Sequence, residues 1–132
     1  MRLLCDTNIL AELARPAPNP GVLAWSNQVS QVVLSAVTLE EVEYGLAWHA
    51  KPGVRAWLEV FLAQHCQILP VDAAVARHAG ILRGQLRAQG QVRSQADMLI
   101  AATAAIHGLV LVTRNERDFA GCGVAVLNPF SG

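Results

Sequence analysis

The chain is short of lysine, of paired cysteines, of charge and of long apolar runs, and each shortage closes off a class of function. Of the ten basic residues only Lys51 is a lysine; the other nine are arginine. Basic and acidic residues both number 10, so the formal net charge is zero. Bulk electrostatic attraction to nucleic acid is therefore not signalled, although an arginine fork grips phosphate in a way lysine cannot match. Cys5, Cys66 and Cys122 are odd in number and form no C-x-x-C pair, which excludes a closed disulfide set and points to a reducing, cytoplasmic setting. His49, His65, His78 and His107 share no metal-ligand spacing. No apolar run approaches the ~20 residues of a membrane span. No cationic leader with a cleavage site precedes the first strand, so no membrane partner is expected.

What is present is apolar. Hydrophobic residues make up 53% of the 132 and charged residues 15%, a composition that predicts a packed domain. The excess of apolar surface favours an oligomer or a bound partner. Arg2 to Cys5, Gln31 to Ser35, Cys66 to Val71, Leu109 to Thr113 and Val124 to Leu127 read as strands. Helices are predicted over Thr7 to Ala14, Val22 to Gln28, Thr38 to His49, Gly53 to His65, Asp72 to Gln89 and Ala96 to Ile106. Thr38, Asp72 and Ser94 read as the helix-opening caps. The Arg15-Pro16-Ala17-Pro18-Asn19-Pro20-Gly21 run is a rigid loop, since its prolines forbid a helix. Near-continuous apolar strands alternating with helices predict an α/β fold: a three-layer α/β/α sandwich around a mainly parallel sheet of about five strands.

Ligands of such sheets sit beyond the carboxyl ends of the strands. Asp6, Glu41 and Asp118 follow the carboxyl ends of strands, whereas Asp97 stands near the start of the helix that runs into the fourth strand, and whether it reaches that end depends on helix tilt, which pattern alone does not settle. Each also has a purely structural explanation. Asp6 can cap a helix, Thr38-x-x-Glu41 and Ser94-x-x-Asp97 are capping-box patterns, and Asp118 can be a solvated turn residue. Taken jointly they suggest more. Several carboxylates at one point raise one another's pKa unless a cation joins them, and oxygen ligands suit Mg²⁺ or Mn²⁺. Such an ion polarises a phosphodiester and activates water, with no need of a Ser or Cys nucleophile.

The segments Asp6-Thr7-Asn8-Ile9-Leu10, Thr38-Leu39-Glu40-Glu41-Val42-Glu43-Tyr44-Gly45, Asp97-Met98-Leu99-Ile100-Ala101-Ala102-Thr103-Ala104 and Thr113-Arg114-Asn115-Glu116-Arg117-Asp118-Phe119 occur in this order. In that order and at this chain length the sequence resembles the PIN-domain family, specifically the VapC and FitB-like toxins of bacterial type II toxin–antitoxin systems. The resemblance takes in the proline-rich loop and the closing Leu127-Asn128-Pro129-Phe130. It implies a single PIN-like ribonuclease domain over residues 1–132 that cuts tRNA or ribosomal RNA and so stops translation. It also implies a Mg²⁺ or Mn²⁺ cofactor, a homodimer, and a cognate antitoxin that wraps the toxin and blocks the site. By the same resemblance Asp6, Glu41, Asp97 and Asp118 hold the metal. The Glu-apolar-x-x-Gly match to Gly45 selects Glu41 over Glu40 and Glu43. Thr7, Asn8, Thr113 and Asn115 orient carboxylates and water, and Arg114 and Arg117 touch RNA phosphate. One departure stands out: many relatives carry a Pro-apolar pair before the third acid, where this chain has Ser94-Gln95-Ala96.

Other residues have lesser readings. Trp25, Trp48 and Trp57 suit a core or an interface, and Arg83, Arg87 and Arg93 suit either an RNA groove or a solvated face. Rival functions are weaker. A phosphoacceptor signalling domain with Asp6 as acceptor wants a lysine at the end of a late strand, and Lys51 lies between two early helices. An aspartate-nucleophile phosphatase wants a second acid two residues on, where Asn8 stands. A non-catalytic binding module has no use for all four acids.

Overall fold

A computed structural model describes residues 2–131. Five strands, β1 (Leu3–Cys5), β2 (Val32–Ser35), β3 (Cys66–Leu69), β4 (Val110–Val112) and β5 (Val126–Leu127), form one sheet in the order β3-β2-β1-β4-β5. Every pairing is parallel, with Leu4 opposite both Val33 and Leu111. Six helices cover it: α1 (Thr7–Leu13), α2 (Pro20–Ser26), α3 (Ala36–Trp48), α4 (Pro52–His65), α5 (Ala73–Ala88) and α6 (Gln95–His107). A four-residue 3₁₀ turn, Glu116–Phe119, joins β4 to the segment leading into β5.

The sheet is buried on both faces, which is why its strands lack polar alternation. On one face Leu4, Val33 and Leu111 pack with Val75, Ala79 and Leu86 of α5 and with Met98, Ile100 and Ala101 of α6. On the other, Cys5, Leu34 and Val112 pack with Ile9 and Leu10 of α1 and Leu58 and Phe61 of α4. The three-layer α/β/α architecture follows. Because β1 continues to β2 on one side and pairs with β4 on the other, strand order reverses at the β1–β4 boundary. That is the switch point at which open α/β sheets bind ligands.

Three local expectations need correction. Helix α3 starts at Ala36, not Thr38, and Ser35 is its cap, accepting the Val37 N–H at 3.0 Å. The strand thus runs into the helix with no loop, and Thr38 is fully buried inside it. Helix α2 begins at Pro20, inside the proline-rich run, because a proline in the first turn has no N–H to lose and Asn19 caps that turn through the Gly21 and Val22 amides. Trp48 is 83% exposed and so belongs to no core. An unforeseen buried acid, Glu12, takes the Asn19 N–H at 2.8 Å and Arg15 Nη1 at 3.1 Å. That amide first, and Arg15 after it, hold its carboxyl below the usual range, and together they fasten the proline-rich loop to α1.

Candidate active site

Asp6 is the first residue past β1 and the cap of α1. Its amide is locked to the Val112 carbonyl at 2.9 Å, so the side chain is delivered to the switch point by the sheet itself. Three neutral donors hold the carboxylate: the Thr7 N–H at 2.8 Å, Thr113 Oγ1 at 2.8 Å and Asn8 Nδ2 at 3.0 Å. Burial outweighs them and pushes the Asp6 pKa up, with the Glu41 charge adding to the rise.

Thr113 is the first residue past β4 and is fully buried. Besides donating to Asp6, its Oγ1 accepts from Asn8 Nδ2 at 3.2 Å and from the Asn115 N–H at 3.0 Å. Asn8 closes the ring by accepting the Arg114 N–H at 3.1 Å. The ends of β1 and β4 are therefore stitched by side chains after the ladder bonds stop. Asn115 takes part through its backbone, not its side chain.

Glu41 lies one and a half turns into α3 and accepts Thr7 Oγ1 at 2.6 Å. Thr38 Oγ1 stands 3.4 Å from the same hydroxyl. With Ser35 as the cap, Glu41 is not part of a capping box, and that structural explanation for it lapses. Glu40 is exposed and Glu43 is bound to Arg55 at 2.5 Å, so of the three glutamates it is Glu41 that faces Asp6.

Asp97 sits in the first turn of α6, where Ser94 Oγ caps the helix by accepting the Asp97 N–H at 3.0 Å. The capping box is only half made: among the described residues no bond runs from the Ser94 amide back to the Asp97 carboxylate. That carboxylate is half-buried. Its pKa is raised, first by burial and then, against the lowering effect of the Ser94 hydroxyl, by the charges of Asp6, Asp118 and Glu41. Asp97 therefore shares one field with all three other acids. Asp118 is exposed on the 3₁₀ turn.

The four acids face one region, but they are not a closed ligand set. Among the described residues no three His, Cys, Asp or Glu side chains already form a metal-holding group. None of the three ion pairs among the described residues involves any of the four acids. An all-carboxylate donor set in which Asp97 feels the charge of the other three and Asp6 that of Glu41, with no ion-paired side-chain cation among the described residues, fits a hard divalent ion in kind.

Two other features border the site. Arg114 and Arg117 are exposed; the Arg114 guanidinium lies 4.9 Å from the centre of the Phe130 ring. Beside Thr7 and Glu41 a largely apolar groove of about 620 Å³ runs between α1, α3 and α4, lined by Leu10, Val42, Leu46 and Trp57 among others.

Comparison with known proteins bears on this arrangement. The model of the PIN domain family matches residues 3–122. The chain is 35% identical to VapC ribonuclease Y4jK of Sinorhizobium fredii, covering 97% of each. It is 32% identical to the tRNA(fMet)-specific endonuclease VapC of Shigella flexneri, covering 93% of each. Its fold superposes on the crystal structure of FitAcB from Neisseria gonorrhoeae with a TM-score of 0.84 at 35% identity, over 97% of this chain and 98% of that one.

Proposed function

The chain belongs to the PIN domain family, and from that premise we propose that it is the ribonuclease toxin of a VapBC-like toxin–antitoxin pair, cutting phosphodiester bonds in tRNA or ribosomal RNA. The observation that carries the reading is the set Asp6, Glu41, Asp97 and Asp118 around the β1–β4 switch point, with the charges of the other three all bearing on Asp97 and no ion pair among the described residues reaching any of the four. Its likeness to ribonucleases and a tRNA-specific endonuclease supports the same chemistry.

Asp6, Glu41 and Asp97 would hold the principal ion, Mg²⁺ or Mn²⁺, with Asp118 completing that site or a second one. When bound, the ion supplies Lewis acidity toward the phosphate and lowers the pKa of water. The chain's own residues do the rest. Thr113, Asn8 and the Thr7 amide fix both oxygens of Asp6, so that carboxylate cannot rotate. The Thr7 hydroxyl aims Glu41. Partners of this kind typically carry about 10–100-fold in metal affinity or activity. Arg114, backed by Phe130, and Arg117 flank the site as phosphate contacts that place the RNA without reading its sequence.

The apolar groove beside Glu41 suits a segment of the cognate antitoxin, which from there reaches the acids. Exposed Tyr44 and Trp48 on α3 are surface that a homodimer or the antitoxin would cover. Among the described residues no helix is long and apolar enough to cross a membrane.

The test is expression of the chain with and without Asp6→Asn, followed by mapping of new 5′ ends in cellular RNA and a repeat with purified protein, Mg²⁺ and EDTA. The reading expects new ends that need both Asp6 and the cation. Cleavage that persists in the variant or in EDTA, or none with wild type, overturns it.

A further inference from the structure

Arg93 does not serve the surface role that its charge suggests. It lies in the short link between α5 and α6, one residue before the Ser94 cap and four before Asp97. Its guanidinium is turned into the backbone of the turn that bears Asp118. Nη1 donates to the Asp118 carbonyl at 2.5 Å, and Nη2 donates to the Ala120 carbonyl at 2.8 Å and to Gln91 Oε1 at 2.8 Å. Nη1 also lies 3.9 Å from the Cys122 sulfur. One side chain therefore spans the root of the helix carrying Asp97 and the turn carrying Asp118.

That turn has little else to hold it. It is four residues long, its cap residue Asn115 makes no side-chain capping bond, and every residue of it but Phe119 is exposed. The chain beyond it passes through Gly121 and Gly123, both at positive φ, a region open to glycine because it lacks a Cβ, which also leaves its backbone less restricted than that of other residues. Its anchors are the buried side chains of Phe119 and Cys122, the Asn128 Nδ2 bond to the Glu116 carboxylate at 2.9 Å, and Arg93. A guanidinium suits the task because its planar fork presents two donors at a fixed spacing, which an ammonium cannot do.

We propose that Arg93 is a positioning residue: by bridging the Asp118 and Ala120 carbonyls it fixes the separation of the Asp97 and Asp118 carboxylates for a divalent cation. The purpose of that separation rests on the cation-dependent nuclease reading; the bridge itself does not. The guanidinium's donors are engaged by the Asp118 and Ala120 carbonyls and by Gln91.

The experiment compares wild type, Arg93→Ala and Arg93→Lys as full-length protein, first in Mn²⁺ binding by calorimetry without RNA, then in cleavage kinetics. Outer partners of metal ligands carry about 10–100-fold in affinity. Arg93→Ala should therefore bind Mn²⁺ at least about tenfold more weakly. Its kcat at fixed low cation should fall by a similar factor and recover as cation is raised, with KM for RNA unchanged. Arg93→Lys should fall between, and it carries the comparison if the alanine variant does not fold. In an Asp118→Asn background the Arg93 substitution should add no further loss of Mn²⁺ affinity, which a merely structural role would not produce. Mn²⁺ affinity within twofold of wild type, additive losses in the double variant, or a raised KM with intact Mn²⁺ binding each overturns the proposal. So does a wild type that binds no Mn²⁺. A wild type that binds Mn²⁺ but cuts no RNA sinks the nuclease reading alone.

Discussion

Replacing Thr113 by valine keeps the shape of a fully buried side chain and deletes one oxygen. That oxygen donates to Asp6 Oδ2 at 2.8 Å and accepts from Asn8 Nδ2 and the Asn115 amide. A hydrogen bond to a charged group contributes about 1.5–3 kcal/mol. The two lost acceptor contacts are partly exposed and can turn to water, so the total is about 2–4 kcal/mol, a large share of the ~5–15 kcal/mol of a typical domain. Thr113→Ser keeps the hydroxyl and removes one methyl, at a cost of about 1 kcal/mol. The pH dependence has a definite sign. Burial already places the Asp6 pKa above its ordinary value, so its charge opposes folding, and stability falls as pH rises from the ordinary carboxylate range through the raised folded value. Losing the Thr113 donor raises that value further. The penalty of Thr113→Val is therefore full above both raised values, where Asp6 is charged, and narrows as pH falls through them. Urea unfolding in EDTA at a series of pH values measures it, with Thr113→Ser as the reference. If the valine variant is no less stable than the serine variant at pH 7, or if their gap does not narrow in acid, the account of Asp6 as a buried, hydrogen-bonded carboxylate is wrong.

Three further outcomes are expected. Asp97→Asn in EDTA should be at least as stable as wild type, since it removes a charge that three neighbours repel, yet it should lose the rise in Tm that Mg²⁺ or Mn²⁺ gives wild type and more than about 100-fold of RNA cleavage, beyond what orienting partners carry; equal cation stabilisation in the two proteins would remove Asp97 from the ligand set. Glu41→Gln should abolish cation-dependent cleavage, whereas Glu40→Gln on the exposed side of α3 should change stability by less than ~0.5 kcal/mol and leave cleavage intact; the reverse pattern would mean that the Gly45 spacing picked the wrong glutamate. Gly21→Ala would place a Cβ 2.4 Å from the Pro129 carbonyl oxygen, an overpacking that costs about 1–3 kcal/mol, and a neutral result by thermal unfolding would show that the C-terminal segment does not pack there as described.

The strands were legible because apolar runs bounded by Gly, Pro and caps leave few alternatives, and the parallel sheet followed from their alternation with helices. The misplaced start of α3 has a local cause. Ser35 and Thr38 are both good caps, and the capping-box spacing to Glu41 favours Thr38. Only tertiary contact decides between them: Thr38 is needed inside, 3.4 Å from Thr7 Oγ1, and Ser35 is left to cap. Glu12 was missed because periodicity sorts residues by face and takes no account of a carboxylate that satisfies a loop amide. Its one sequence signal was Arg15 at i+3. The bridge made by Arg93 was not legible for the converse reason, since it runs to the Asp118 and Ala120 main-chain carbonyls, to which no residue type in the sequence points.

The position of Asp97 is the instructive case, because periodicity left it open and a sum over lengths does not. From Asp97 to His107 a helix rises about 15 Å, at ~1.5 Å per residue. From Leu109 to Thr113 a strand rises about 13 Å, at ~3.3 Å per residue. The chain reverses over Gly108, so helix and strand run back to back for nearly equal distances. That brings Asp97 level with Thr113, the residue that holds Asp6. Tilt can shift the two ends sideways but cannot separate them lengthwise by much. The third acid is thus placed at the carboxyl edge of the sheet by the match between one helix length and one strand length. Its place in the first turn of α6 and its place in the acidic set are the same fact, since the start of α6 is where the chain must turn beside that edge.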